Sequence, residues 1–97
     1  MKITAVAFEL AKDDSDKTMT VSHRLMSTGY DYAIHIKASD SGFVLPFPSN
    51  VLANNKKPSE MLEDVKSVCK ELEVKLERCI TFNFDTEESV GMQAPYN

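Results

Sequence analysis

Two hydrophobic periods overlap near the C-terminal third of the chain. Met61, Leu62, Val65, Val68, Cys69 and Leu72 recur at helical spacing, whereas Leu72, Val74, Leu76, Ile80, Phe82 and Phe84 alternate as a strand does. A helix must therefore hand over to a strand within residues 71–78, with no Gly or Pro to mark the joint. Pro58 suits the first helical position, and Glu60, Glu63 and Asp64 favour the positive end of the helix dipole. The spacing predicts a helix over about 58–73 and a strand over about 75–84. Val74 falls opposite the apolar arc of the helix. It fits a helix that ends near Leu72, with Glu73 where Gly is commoner and Val74 folded back on the last turn. A helix continuing to Glu77 with Val74 exposed is the rival reading.

Upstream, the pattern alternates. Residues 2–11 read as a strand with Val6, Phe8 and Leu10 on one face and Ile3, Ala5 and Ala7 on the other. A polar loop, 12–17, leads into an expected second strand over 18–26, with Met19, Val21, His23 and Leu25 inward and Thr20, Ser22 and Arg24 outward. A third strand over 30–38 places Tyr32, Ile34 and Ile36 inward and His35 and Lys37 outward. Residues 43–47 form a fourth, at an edge because Pro46 cannot donate to a ladder. Centring each turn pairs Leu10 with Met19, Leu25 with Tyr32, and Ile36 with Leu45, so three turns agree on one apolar face. Residues 48–57 read as a loop.

The expected fold is α+β: a four-stranded antiparallel meander, one helix across one face, and a fifth strand returning beside the first, in spatial order 5-1-2-3-4. Residues 1–84 make one domain and 85–97 a mobile tail, acidic and then polar. At 97 residues one sheet and its helical cover is the natural scale.

The net charge of -4 opposes direct binding to nucleic acid, where affinity comes mainly from cationic contacts. The early apolar run stops at Glu9, and no stretch has spanning length, so no membrane association is expected and the cytoplasm is the expected location. Cys69 and Cys79 are too few for a disulfide framework and lack zinc-ligand spacing to other Cys or His; each reads as a small buried or half-buried thiol. His23 is expected inward and His35 outward, so they share no site. Asp13, Asp14 and Asp16 lie in one loop, with Asp40 at the same end of the expected sheet. Read as a calcium loop from Asp14, the sixth position is Met19 and the twelfth Leu25, so this is an acidic rim and not a metal site. No phosphate loop or nucleophile elbow occurs. No catalytic residue, cofactor or metal is expected.

What remains is surface. One face of the sheet has no helix to cover it, and there Ile3, Ala5 and Ala7 lie beside Thr20, Ser22 and Arg24, with Cys79, Thr81 and Asn83 expected on the other side. Ile3, Ala5, Ala7, Thr20, Ser22 and Arg24, with His35, Lys37 and the rim Asp13, Asp14, Asp16 and Asp40, form the candidate partner-binding set. The expectation is a small acidic, non-enzymatic module that occupies the surface of a protein partner, a basic one by charge. Inhibitors, adaptors, immunity-type proteins and phage anti-defence inhibitors belong to this class. A small enzyme or ligand-binding domain with His23 in a helix–sheet pocket is one alternative. A homodimeric subunit joined through the outer sheet face is another.

Overall fold

A computed structural model describes residues 2–35 and 44–85 of the chain. The architecture is α+β, with a three-stranded antiparallel sheet and two α-helices. The central strand β1 (Lys2–Leu10) is followed by a 3-10 helix (Lys12–Lys17) and helix α1 (Thr18–Met26). A short hairpin comes next, β2 (Ala33–His35) and β3 (Val44–Pro46). Then come β4 (Val51–Asn54), helix α2 (Pro58–Glu71) and β5 (Leu76–Asp85). The sheet order is β4-β1-β5, both pairings antiparallel, and β2-β3 forms a separate two-stranded ladder. The sequence-based expectation of 85–97 as a tail lies outside the described residues beyond Asp85, as do Ile36, Lys37, Ala38 and Asp40.

The expected handover occurs as a helix-terminating motif. After the capping residue Leu72, Glu73 takes a left-handed backbone with φ of 57°. Its N–H donates to the carbonyl of Lys70 at 3.2 Å, and the Val74 N–H donates to that of Cys69 at 2.9 Å. Those two bonds, five-to-two and six-to-one respectively, satisfy carbonyls that the helix end would otherwise orphan. Val74 turns inward and is buried, so the apolar residue that does not fit the helix arc closes the helix end. On the far side, the Asp14 carboxylate accepts the Lys75 N–H at 2.8 Å and the Lys75 carbonyl accepts the Ala11 N–H at 2.9 Å. The 3-10 helix thus holds the point where α2 becomes β5.

The second strand of the expected meander is instead helix α1. Val21 and Leu25 stand four residues apart, a spacing shared by an alternating strand and a helix, so they could not separate the two periods. The residues between them do. Ser22 is buried and its hydroxyl donates to the Ser49 carbonyl, whereas Met19 and His23, expected inward, are exposed. Helical i, i+4 geometry brings Val21 and Leu25 onto one buried face, and Gly29, with φ of 105°, follows the helix end. With that strand gone the four-stranded meander and the order 5-1-2-3-4 do not form. The place beside β1 goes to β4, within the stretch read as a loop, through Ala5–Ala53 and Val6–Leu52. The β2-β3 pairing exists, but Leu45 pairs with Ile34 and not with Ile36, a shift of two residues.

The final strand does return antiparallel beside β1. Its register holds a surprise: Glu9 pairs with Arg78 but Leu10 with Leu76, so Glu77 is an extra residue at a bulge. Leu76 therefore keeps to the helix side while Ile80, Phe82 and Phe84, partners of Ala7, Ala5 and Ile3, lie on the other face. The expectation had been Cys79, Thr81 and Asn83 on that face. A single inserted residue reverses the sides of everything beyond it.

The main core lies between the helices and the sheet. Val6, Phe8, Val21, Leu25, Leu52, Met61 and Val65 are fully enclosed there. Each such side chain contributes roughly 1.5–3 kcal/mol relative to exposure. Tyr30 is buried beside them, its hydroxyl donating to Asp64 Oδ2 at 2.7 Å. Lys56 Nζ donates to the same oxygen at 2.8 Å and stands 5.7 Å from the Tyr30 ring centre.

Candidate interaction face

The sheet face opposite the helices is built by alternation. From β1 it takes Ile3, Ala5 and Ala7, from β4 Val51 and Ala53, and from β5 Ile80, Phe82 and Phe84. The middle of the central strand is small, Ala5 and Ala7, and the bulkiest row, Ile80, Phe82 and Phe84, stands on β5. Ala5 is 1% exposed, whereas Ile80 is 63% and Phe82 42% exposed. Phe47, after β3, packs against Ala53 with Ile3 and Phe84. Its ring meets Phe84 edge-on at 6.3 Å and 87°, and Phe82 stands 6.3 Å from Phe84 at 49°. Phe47 thus covers one end of the face. The other end, toward Ile80, stays open and is bounded by the Glu9–Arg78 ion pair at 2.7 Å. Beside that pair a depression of about 550 Å³ runs along Ala7, Arg78 and Ile80.

The residues expected to bind a partner are divided by the fold. Ile3, Ala5 and Ala7 do lie on the sheet face away from the helices. Thr20, Ser22 and Arg24 do not join them, because residues 18–26 are helical and packed in the layer on the other side. Ser22 is inside, and Arg24 is engaged with Glu71 of α2 through Nε–Oε1 at 3.0 Å and Nη2–Oε2 at 3.3 Å. His35 ends β2 opposite Val44. Asp13, Asp14 and Asp16 occupy the 3-10 helix, where Asp14 caps Lys75 and faces Lys17 at 3.7 Å, a structural assignment. Lys37 and Asp40 lie outside the described residues.

Ile80, Phe82, Phe84 and Phe47 join Ile3 as large apolar side chains of this face, and these four lie outside the expected set. Alternation in β5 was visible, but the side to which it pointed depended on the Glu77 bulge, which leaves no mark in composition.

Burial pushes the Cys69 and Cys79 thiols above their ordinary range, so both disfavour the nucleophilic thiolate. Burial works to raise the Asp64 carboxyl, but the hydrogen bonds from Lys56 and Tyr30 outweigh it and hold Asp64 below its ordinary value. Burial, then the Asp64 hydrogen bond, raises the Tyr30 phenol. His23 lies exposed on α1 and not beneath a helix; with Met19, Met26 and Tyr32 it borders a groove of about 350 Å³. Among the described residues no group of three or more His, Cys, Asp and Glu could hold a metal ion, and no helix is long and apolar enough to cross a membrane. Comparison with family models gives no match, and no significant match emerges among curated proteins or solved structures.

Proposed function

We propose that this chain is a non-enzymatic protein-binding module that acts by occupying a partner's surface, as an inhibitor, adaptor or immunity-type protein does. The observation that carries the reading is the exposure of Ile80 and Phe82, at 63% and 42%, on a sheet face that no helix among the described residues covers. Large apolar side chains grouped on one face, over a floor of small ones, make a surface on which another protein can approach closely and exclude water. The ring pairs Phe47–Phe84 and Phe82–Phe84 hold part of that surface in place before binding, which lowers the entropy cost of association. A net charge of -4 makes a basic partner the best electrostatic fit and would speed its encounter. Cytoplasmic action belongs to the same proposal, supported by two cysteines that form no disulfide.

The test is quantitative capture of a partner by the immobilised chain and by the Ile80→Thr/Phe82→Thr double variant. Threonine keeps strand propensity while removing the apolar anchors. The proposal expects a stoichiometric partner that the double variant loses by tenfold or more, in keeping with anchor residues worth upwards of about 1 kcal/mol each. A Lys66→Glu control on α2 keeps it. Equal capture by the double variant and the parent chain would refute this location for the binding surface.

A further inference from the structure

We infer that the edge of β5 that no described strand occupies pairs with β5 of a second copy, antiparallel across a two-fold axis at Phe82, joining two three-stranded sheets into one of six strands. The inference rests on the proposed use of the outer face and adds to it, because the pairing leaves that face free and doubles it.

The two edges of the sheet differ. On the β4 side, strand length is four residues, and the Ala53 N–H and C=O are both bonded to Asp31, at 2.9 and 2.8 Å. That edge is closed by the chain itself. The β5 edge is ten residues long, and no strand pairs with its far side among the described residues.

Which groups β5 offers follows from β1. The Phe8 N–H donates to the Asn50 carbonyl and the Phe8 carbonyl accepts from Asn50 Nδ2, so the even residues of β1 turn their backbone groups toward β4. The odd residues Ile3, Ala5, Ala7 and Glu9 then turn toward β5, where their partners Phe84, Phe82, Ile80 and Arg78 answer them. The intervening residues Cys79, Thr81 and Asn83 consequently direct N–H and C=O outward. No Pro, Gly or Lys blunts the run from Cys79 to Asn83, which is the usual protection of an exposed edge.

Register is set by parity and the bulge. Opposed residues must lie on the same face, which limits the two-fold to a residue position. Regular alternation begins only after the Glu77 bulge. Centring on Thr81 brings the bulged Glu77 into the ladder as an irregular pair. Centring on Phe82 removes it. Ile80 then meets Phe84 of the other copy on the outer face, Phe82 meets its own counterpart, and Thr81 meets Asn83 on the opposite face, a pair able to hydrogen-bond. The six large side chains of two copies form one continuous apolar strip.

The full chain is tested by sedimentation equilibrium over a concentration series, at 10.9 kDa per copy. The mass is expected to climb toward twice that value in the micromolar range, since edge pairing buries less than a standard interface. Thr81→Pro removes an outward N–H that β1 does not use and is expected to return the chain to a monomer with its circular dichroism retained. If that variant misfolds, Phe82→Asp, which sets two carboxylates on the axis, is expected to give the same monomer. Parent chain that stays monomeric to about 500 µM, well above the range expected for such an interface, overturns the inference, as does a dimer unaffected by a folded variant. Partner capture by a monomeric parent chain would leave the proposed function standing while this inference fails.

Discussion

The two faces of the three-stranded sheet are made by the same three strands and yet are finished differently. On the helix side, Val6, Phe8 and Leu52 are enclosed by Val21, Leu25, Met61 and Val65, and every large apolar residue has a neighbour from another layer. On the opposite side the central strand offers only Ile3, Ala5 and Ala7, and the large residues Ile80 and Phe82 stand on the outer strand with most or much of their surface open. The first arrangement is what folding requires. The second is not needed for folding, because the residues that would be expensive to leave open could have been small or polar without loss of the core. The difference teaches that one side of the sheet carries the core, while the other side carries exposed large apolar residues, which the proposed function assigns to recognition.

That division is open to attack by substitution, and the largest effect is expected on the helix side. Phe8→Ala should cost about 3–5 kcal/mol in denaturant unfolding, as large-to-small changes in closed cores do. A cost comparable to that of an exposed residue would mean that the helix layer does not hold the sheet.

The polar tie at the margin of that layer is smaller. Tyr30→Phe removes one of the two donors to Asp64 Oδ2 and is expected to cost about 1.5 kcal/mol. The pH dependence has a definite sign. The folded phenol ionises later than the unfolded one, so its contribution is complete below the ordinary tyrosine range near pH 10 and declines as pH rises beyond it. Asp64, held low, contributes above the ordinary carboxylate range near pH 4 and loses that contribution as pH falls through its depressed value. Urea titrations at pH 8 and 11 should show a fall in stability that Tyr30→Phe partly abolishes; an identical slope in parent and variant would refute the phenol's part in it.

At the hinge between the layers the expected change is stabilising. Glu73 holds a left-handed backbone with φ of 57°, which costs a side-chain-bearing residue about 1 kcal/mol or more relative to glycine. Glu73→Gly should therefore raise the unfolding midpoint, offset in part by the greater freedom of glycine in the unfolded chain. A clear loss of stability would contradict the terminating motif.

How much of this could be read in the sequence depended on whether local rules sufficed. The end of α2 could be read because Val74 was misplaced for a helix and well placed for a helix terminator, a conflict settled within six residues. Helix α1 could not, since Val21 and Leu25 satisfy both periods and the polar Ser22 that should have been outside is inside, where the Ser49 carbonyl receives its hydroxyl. Strand β4 was hidden by its setting among Pro48, Asn50, Asn54 and Asn55, which carry turn signals, while its pairing depends on β1 lying alongside. For the candidate face, Ile3, Ala5 and Ala7 were readable from alternation in β1. The side of Ile80, Phe82 and Phe84 was fixed by one bulged residue in a long-range ladder, and local pattern contains no record of it.

The smallest stability effect is also the one that bears most on function. The Ile80→Thr/Phe82→Thr double variant, followed in one experiment by unfolding in urea and by quantitative partner capture, separates the two sides of the sheet. The division described above predicts a stability change of about 1 kcal/mol or less together with at least a tenfold loss of capture. A variant that unfolds readily, or one that captures its partner as well as the parent chain does, would contradict it.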